Sequence, residues 1–171
     1  MNQPAIVAPG QDRRFAIAGF GLGLATILGA LAFQFIGGLY PCELCLTQRL
    51  PYYIGLPLLA LLIVLWSRLP KNVRLALTLI VGGLFVWGTG LGVYHTGVES
   101  GIFEGPATCS GTGAETLSLD MLGDLSNAQV VACNAVQWEM MGISLAGFNA
   151  LISAAIVVLL GLSIKRQLGR Y

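Results

Sequence analysis

Four stretches of the chain carry almost no charge: residues 15–39, 50–67, 75–94 and 140–164. Each is close to the 17–25 or so residues that a helix needs to cross a hydrocarbon core of roughly 30 Å. Any one of them alone reads equally well as a buried helix of a soluble protein. Four in 171 residues leave almost nothing to cover them, so the pattern predicts four membrane-spanning helices. The chain is expected to be one all-α membrane domain over residues 1–171, a four-transmembrane-helix bundle. Its outer loops are expected at about 40–49 and 95–139, the second a long periplasmic loop between helices 3 and 4.

Within the spans, Gly19 and Gly23 share one face of the first helix, and Gly88 and Gly92 one face of the third. Small residues at this spacing let helix backbones approach closely. Pro51 falls in the first turn of the second helix, where its missing N–H costs little, and Pro57 lies deeper and is expected to bend it. In the long loop, Leu117, Met121, Leu122 and Leu125 recur at helical spacing, which suits a short amphipathic helix over 116–128 at the membrane surface, or a lid. The first nine residues, with Pro4 and Pro9, read as a frayed lead. Arg13-Arg14 ahead of an apolar run, followed by Ala30-Leu31-Ala32, resembles a signal peptide. The uncharged run is too long for an ordinary h-region of about 7–15 residues.

Charge adds the orientation. Composition is 56% hydrophobic and 10% charged, against about 25% charged in soluble domains, so lipid is the expected solvent and partner. Arg13, Arg14, Arg68, Lys71, Arg74, Lys165, Arg166 and Arg170 fall at the N-terminus, the second-to-third connection and the C-terminus. An even number of spans places these on one face, and the positive-inside rule makes it cytoplasmic, with both termini inside. The opposite face receives Glu43, Glu99, Glu104, Glu115, Asp120, Asp124 and Glu139; Arg49 alone breaks the pattern. No nucleic-acid partner is expected.

All four cysteines, Cys42, Cys45, Cys109 and Cys133, fall on this outer side, the oxidising side of a bacterial inner membrane. Cys42-Glu43-Leu44-Cys45 follows Pro41 and leads into the second span, so the pair sits near a helix N-terminus, which favours thiolate over thiol. Arg49 lies four residues from Cys45, on the same face if the helix has begun there. A guanidinium in that place stabilises a thiolate, or negative charge developing on a reduced quinone oxygen; the plainer alternative is a snorkelling anchor. His95 closes the third span at a similar depth, placed to donate a hydrogen bond to a quinone carbonyl or merely to be solvated.

A zinc site of two CxxC knuckles is disfavoured, because Cys109 and Cys133 stand 24 positions apart, and no metal is expected. Haem attachment needs a His directly after the CxxC, where Leu46 stands. Two purely structural disulfides suit Cys109 with Cys133, whose loop closure contributes about 3 kcal/mol, but suit the small CxxC ring poorly. A labile pair at the bilayer surface and a second pair in a long loop make a relay for thiol–disulfide exchange. An acceptor dissolved in the lipid can then remove the electrons.

Pro41-Cys42-Glu43-Leu44-Cys45 with Gln48-Arg49, Tyr94-His95, Cys109, and Cys133 with Trp138, Gly142, Ser144 and Asn149 together resemble the disulfide bond formation protein B (DsbB) family of bacterial inner-membrane proteins. The resemblance covers nearly the whole chain. It implies a four-helix bundle that reoxidises a periplasmic thioredoxin-like dithiol oxidase (DsbA-type) and reduces ubiquinone or menaquinone. It also implies that Cys109 and Cys133 form the disulfide that exchanges with that partner, Cys109 carrying the mixed disulfide. Cys42 and Cys45 would then reoxidise the loop pair, with Cys45 facing the quinone and Arg49 and His95 near its ring. Asn134 stands where many relatives have an acidic residue, and the tract after Cys109 is rich in Gly and Thr. Two other functions fit less well: a membrane scaffold with bracing disulfides, and a vitamin K epoxide reductase-like enzyme, in which the CxxC follows the loop cysteines instead of preceding them.

Overall fold

The computed structural model describes residues 10–106 and 132–169. Cys109, the tract after it and the expected helix over 116–128 lie outside the described residues. Among the described residues five helices form: α1 (Gln11–Phe35), α2 (Glu43–Thr47), α3 (Leu50–Val64), α4 (Lys71–Glu99) and α5 (Leu145–Leu168). Taking α2 and α3 as one span, Glu43–Val64, four segments are long and apolar enough to cross a membrane. The architecture is a four-helix membrane bundle.

Local chemistry explains the helix ends. Gly10 enters α1 with φ 101, a left-handed conformation that costs glycine little. The second span breaks after Thr47 because Pro51 has no N–H to give the Thr47 carbonyl four residues back; Pro51 itself sits harmlessly in the first turn of α3. Pro57 lies inside α3. The side chain of Ser144 caps α5 by accepting from the Gly147 N–H at 3.2 Å, and Lys165 and Arg166 in its last turn face the negative end of the helix dipole.

Two features differ from the pattern of uncharged residues. The third helix does not stop at Tyr94 but continues to Glu99, because His95, Thr96 and Glu99 find partners inside the fold. Residues 139–144 are not helical. They form a two-stranded antiparallel ribbon, β1 (Glu139–Met140) with β2 (Ile143–Ser144), pairing Glu139 with Ser144 and Met140 with Ile143. Met141 (φ 54) and Gly142 (φ 75) make the turn, and two successive left-handed residues favour a hairpin over a helix.

Apolar residues cover both the inside and the outside of the bundle, as lipid requires. Phe85, Leu59, Leu62, Ile156, Leu160 and Val81 are buried, with Tyr52 edge-on to Phe85 at 5.2 Å. Leu28, Leu61, Val64, Val86, Val93, Leu151 and Val158 face outward. The α4–α5 interface is the most extensive, with α1 against α5 and α3 against α4. The four glycines are where backbones or bulky side chains meet: Gly19 and Gly23 against Ile156, Gly88 against Pro51 and Ser153, and Gly92 against Ala150. At the end remote from the CxxC, Gln167 bonds Thr78 and Ser163, Ser163 bonds the Asp12 carbonyl, and Arg74 lies over Trp66.

Candidate functional site

Cys42 and Cys45 are joined in a disulfide with 5.0 Å between Cα atoms. Cys42 is the N-cap of α2, extended at φ −73 and ψ 170, and its sulfur accepts the Cys45 backbone N–H at 3.2 Å. Cys42 is buried, whereas Cys45 is half-buried. Cys133 packs against the pair in a small cluster with Leu44, Val98 and Tyr94, and it is itself disulfide-bonded. The segment carrying it is held down where Gln137 Nε2 donates to the Tyr40 carbonyl at 2.6 Å.

His95 stands at the centre of this cluster, almost fully buried. Its Nε2 lies 3.2 Å from the Cys133 carbonyl oxygen and 3.7 Å from Cys42 Sγ, and its Nδ1 lies 2.5 Å from Gln48 Nε2. A carbonyl only accepts, so Nε2 carries the proton and, in the neutral ring, Nδ1 accepts from Gln48. The rest of the chain of bonds agrees. Asn149 Nδ2 donates to Gln48 Oε1 at 2.5 Å, Tyr52 Oη donates to Asn149 Oδ1 at 2.8 Å, and Ser153 Oγ then donates to Tyr52 Oη at 2.9 Å. Polar groups from α3, α4 and α5 thus fix one histidine tautomer and aim its N–H at a sulfur. Such networks are costly to leave half-satisfied, which holds their members in place.

Arg49 does not share a continuous helix with Cys45, since the break after Thr47 intervenes. Its guanidinium reaches α1 instead, donating to Gln34 Oε1 at 2.5 Å and to the Ala30 carbonyl at 3.4 Å. Arg49 nevertheless lines, with Cys45, Cys42 and His95, a cavity of about 330 Å³ between α1 and α5. Its other walls are mostly apolar and include Phe33, Trp138, Phe148 and Ile152. Trp138 joins the two phenylalanines at 5.2 and 6.2 Å between ring centroids. A concave, largely apolar space with a few convergent polar groups is the usual form of a small-molecule site.

The structure therefore gathers Cys42, Cys45, Arg49, His95 and Cys133, while Cys109 lies outside the described residues. The donor atoms of Cys42, Cys45 and His95 fall within 4.8 Å of one another. With the sulfurs bonded to each other they have no thiolate to give a metal. Sequence reasoning did not assign roles to Gln34, Gln48, Tyr52, Glu99 or Asn149. The signal was present, because amide side chains inside apolar spans are expensive and mark a bundle interior or a site.

A four-span bundle that packs a CxxC disulfide with a second disulfide-bonded cysteine beside an apolar cavity has the form of a membrane thiol–disulfide oxidoreductase. The comparisons give the family: the model for disulfide bond formation protein DsbB matches residues 12–163. The chain belongs to the DsbB family, oxidoreductases of disulfide bond formation. It is 33% identical over 153 residues to disulfide bond formation protein B of Dechloromonas aromatica (strain RCB), covering 84% of this chain and 86% of that one. It is also 28% identical over 146 residues to an uncharacterized protein of Rickettsia prowazekii (strain Madrid E), covering 82% and 81%. No solved structure matches the chain significantly.

Proposed function

We propose that the protein reoxidises a periplasmic thioredoxin-like dithiol oxidase of the DsbA type and passes the electrons to a membrane quinone, ubiquinone or menaquinone. One observation carries this: the Cys42–Cys45 disulfide packs with Cys133 and also lines the apolar cavity. Thiol–disulfide exchange needs sulfurs in contact, and a lipid-soluble acceptor needs a lipid-level cavity.

On this basis the chain sits in a bacterial inner membrane with both termini cytoplasmic and the CxxC at the periplasmic boundary, the orientation that its cationic residues favour. Cys109 and Cys133 form the pair that meets the partner. Cys42 and Cys45 restore that pair, with Cys45 facing the quinone; both pack with Cys133 and line the cavity. His95 holds its N–H toward Cys42 and so stabilises charge on that sulfur when the bond opens. Phe33, Trp138 and Phe148 offer flat apolar faces to a quinone ring, and Arg49 with Gln34 offers polar contacts for its oxygens. A bound quinone supplies the two-electron, two-proton acceptor.

The test is direct. Purified protein mixed with a reduced thioredoxin-like dithiol partner should bleach the quinone absorbance, and Cys45→Ser should abolish the bleaching. Unchanged turnover in that variant refutes the mechanism. Labelling from the two sides of the membrane should reach the cysteines only from the periplasm.

A further inference from the structure

Glu99, the last residue of α4, lines the cavity beside Cys45 and also a second cavity beside Cys133, which is walled by Val98, Phe103 and Glu104. No other described residue lines both. Its side chain is only 9% exposed. One carboxylate oxygen lies 3.9 Å from His95 Nε2, and the other accepts the hydroxyl hydrogen of Ser144.

A carboxylate this deeply buried is costly unless it is compensated. The groups facing it offer partial compensation. Ser144 on β2 gives a neutral hydrogen bond, and His95 on its own helix gives an N–H already shared with Cys42 and Cys133. Glu104 in the outer cavity carries the same sign, and Arg49, on the far wall of the inner cavity, is hydrogen-bonded to Gln34 on α1. Because it lines both cavities, Glu99 is placed to exchange a proton with either.

The chemistry needs such a group. Oxidising a dithiol to a disulfide releases two electrons and two protons, and reducing a quinone to a quinol takes up both. The electrons travel through sulfur bonds, but the protons leave the incoming thiols on the Cys133 side and are consumed in the cavity beside Cys45. Resting on the function proposed above, we propose that Glu99 is the carrier of these protons. It takes a thiol proton on the Cys133 side, becoming a neutral carboxylic acid, and gives it up on the cavity side, returning to the carboxylate that the His95 N–H and Ser144 hydroxyl stabilise.

Glu99→Gln tests this, because the amide keeps an acceptor for Ser144 but cannot carry a proton. The first readout needs no quinone: reduced-minus-oxidised infrared difference spectra of the quinone-free protein, reduced by a soluble dithiol. The wild type should show a carboxylic-acid C=O band on reduction, absent in Glu99→Gln and shifted in Glu99→Asp. With quinone present, Glu99→Gln should slow quinone reduction about 100-fold. Added acetate should restore part of the rate to Glu99→Ala, and Ser144→Ala should retain the infrared band. A wild type without the band, the same band in Glu99→Gln, or a wild-type quinone rate in Glu99→Gln overturns the proposal. A wild type that shows the band yet reduces no quinone overturns instead the function on which the delivery step rests.

Discussion

Nε2 of His95 lies 3.7 Å from Sγ of Cys42. The same sulfur accepts the Cys45 N–H at 3.2 Å, so two N–H groups converge on Cys42, from α4 and from the first turn of α2. A sulfur held in this way is prepared for negative charge before any bond opens. Cys45, half-buried on the cavity wall, is left to face whatever enters there.

His95→Ala removes one of the two donors. A hydrogen bond to a charged group contributes about 1.5–3 kcal/mol, and about 1.4 kcal/mol is tenfold in a rate or equilibrium. Alkylation of Cys42 at neutral pH, in reduced protein carrying Cys45→Ser, should slow at least about tenfold in His95→Ala. An unchanged rate shows that the imidazole does not act on the sulfur.

Gln48 is expected to set the tautomer. His95 is the chain's single histidine, so nitrogen-15 labelling gives one resolved imidazole. Its spectrum should show Nε2 protonated and Nδ1 bare in the wild type. Gln48→Leu leaves Nδ1 and the Asn149 amide without their Gln48 partner, so both tautomers should appear and unfolding stability in detergent should fall by about 1–3 kcal/mol. A single Nε2-protonated signal in Gln48→Leu assigns the tautomer to the Cys133 carbonyl alone.

The four spans were legible because hydropathy is local in sequence. The course of Arg49 was not, because its relation to Cys45 depended on an unbroken helix and Pro51 removes the bond that would carry α2 into α3. The hairpin at 139–144 escaped for the opposite reason: an uncharged run conceals the left-handed pair Met141-Gly142. Burial of His95 is tertiary, made by Gln48 from the α2–α3 junction and by the Cys133 carbonyl. Glu99 read as one of many outer acids until the extension of α4 brought it under Ser144.

Arg49→Met should separate the cavity from the sulfur chemistry. Its guanidinium donates to Gln34 and Ala30 on α1, so disulfide exchange between Cys42–Cys45 and a dithiol should proceed at the wild-type rate. The quinone KM should rise about tenfold or more, the loss of one charge-assisted contact. Steady-state kinetics with varied quinone check this, and an unaltered KM removes Arg49 from the quinone contacts.

Gly92 sets the distance between the two helices that carry the site. A methyl group there would stand 2.8 Å from the backbone N and Cα of Ala150, and backbone cannot turn aside as a flexible side chain can. Gly92→Ala must therefore push α4 from α5 and should cost about 1–3 kcal/mol in thermal unfolding in detergent. The shift also reaches the site, since His95 lies three residues along α4 and Asn149 is the neighbour of Ala150 on α5. Both ends of the Asn149–Gln48–His95 chain move apart, so exchange at Cys42 should slow as stability falls. Gly90, two residues away, has open space where its Cβ would lie, and Gly90→Ala should lower neither property, since alanine is the better helix former. Equal losses in the two variants would show that the Gly92–Ala150 contact does not set the spacing.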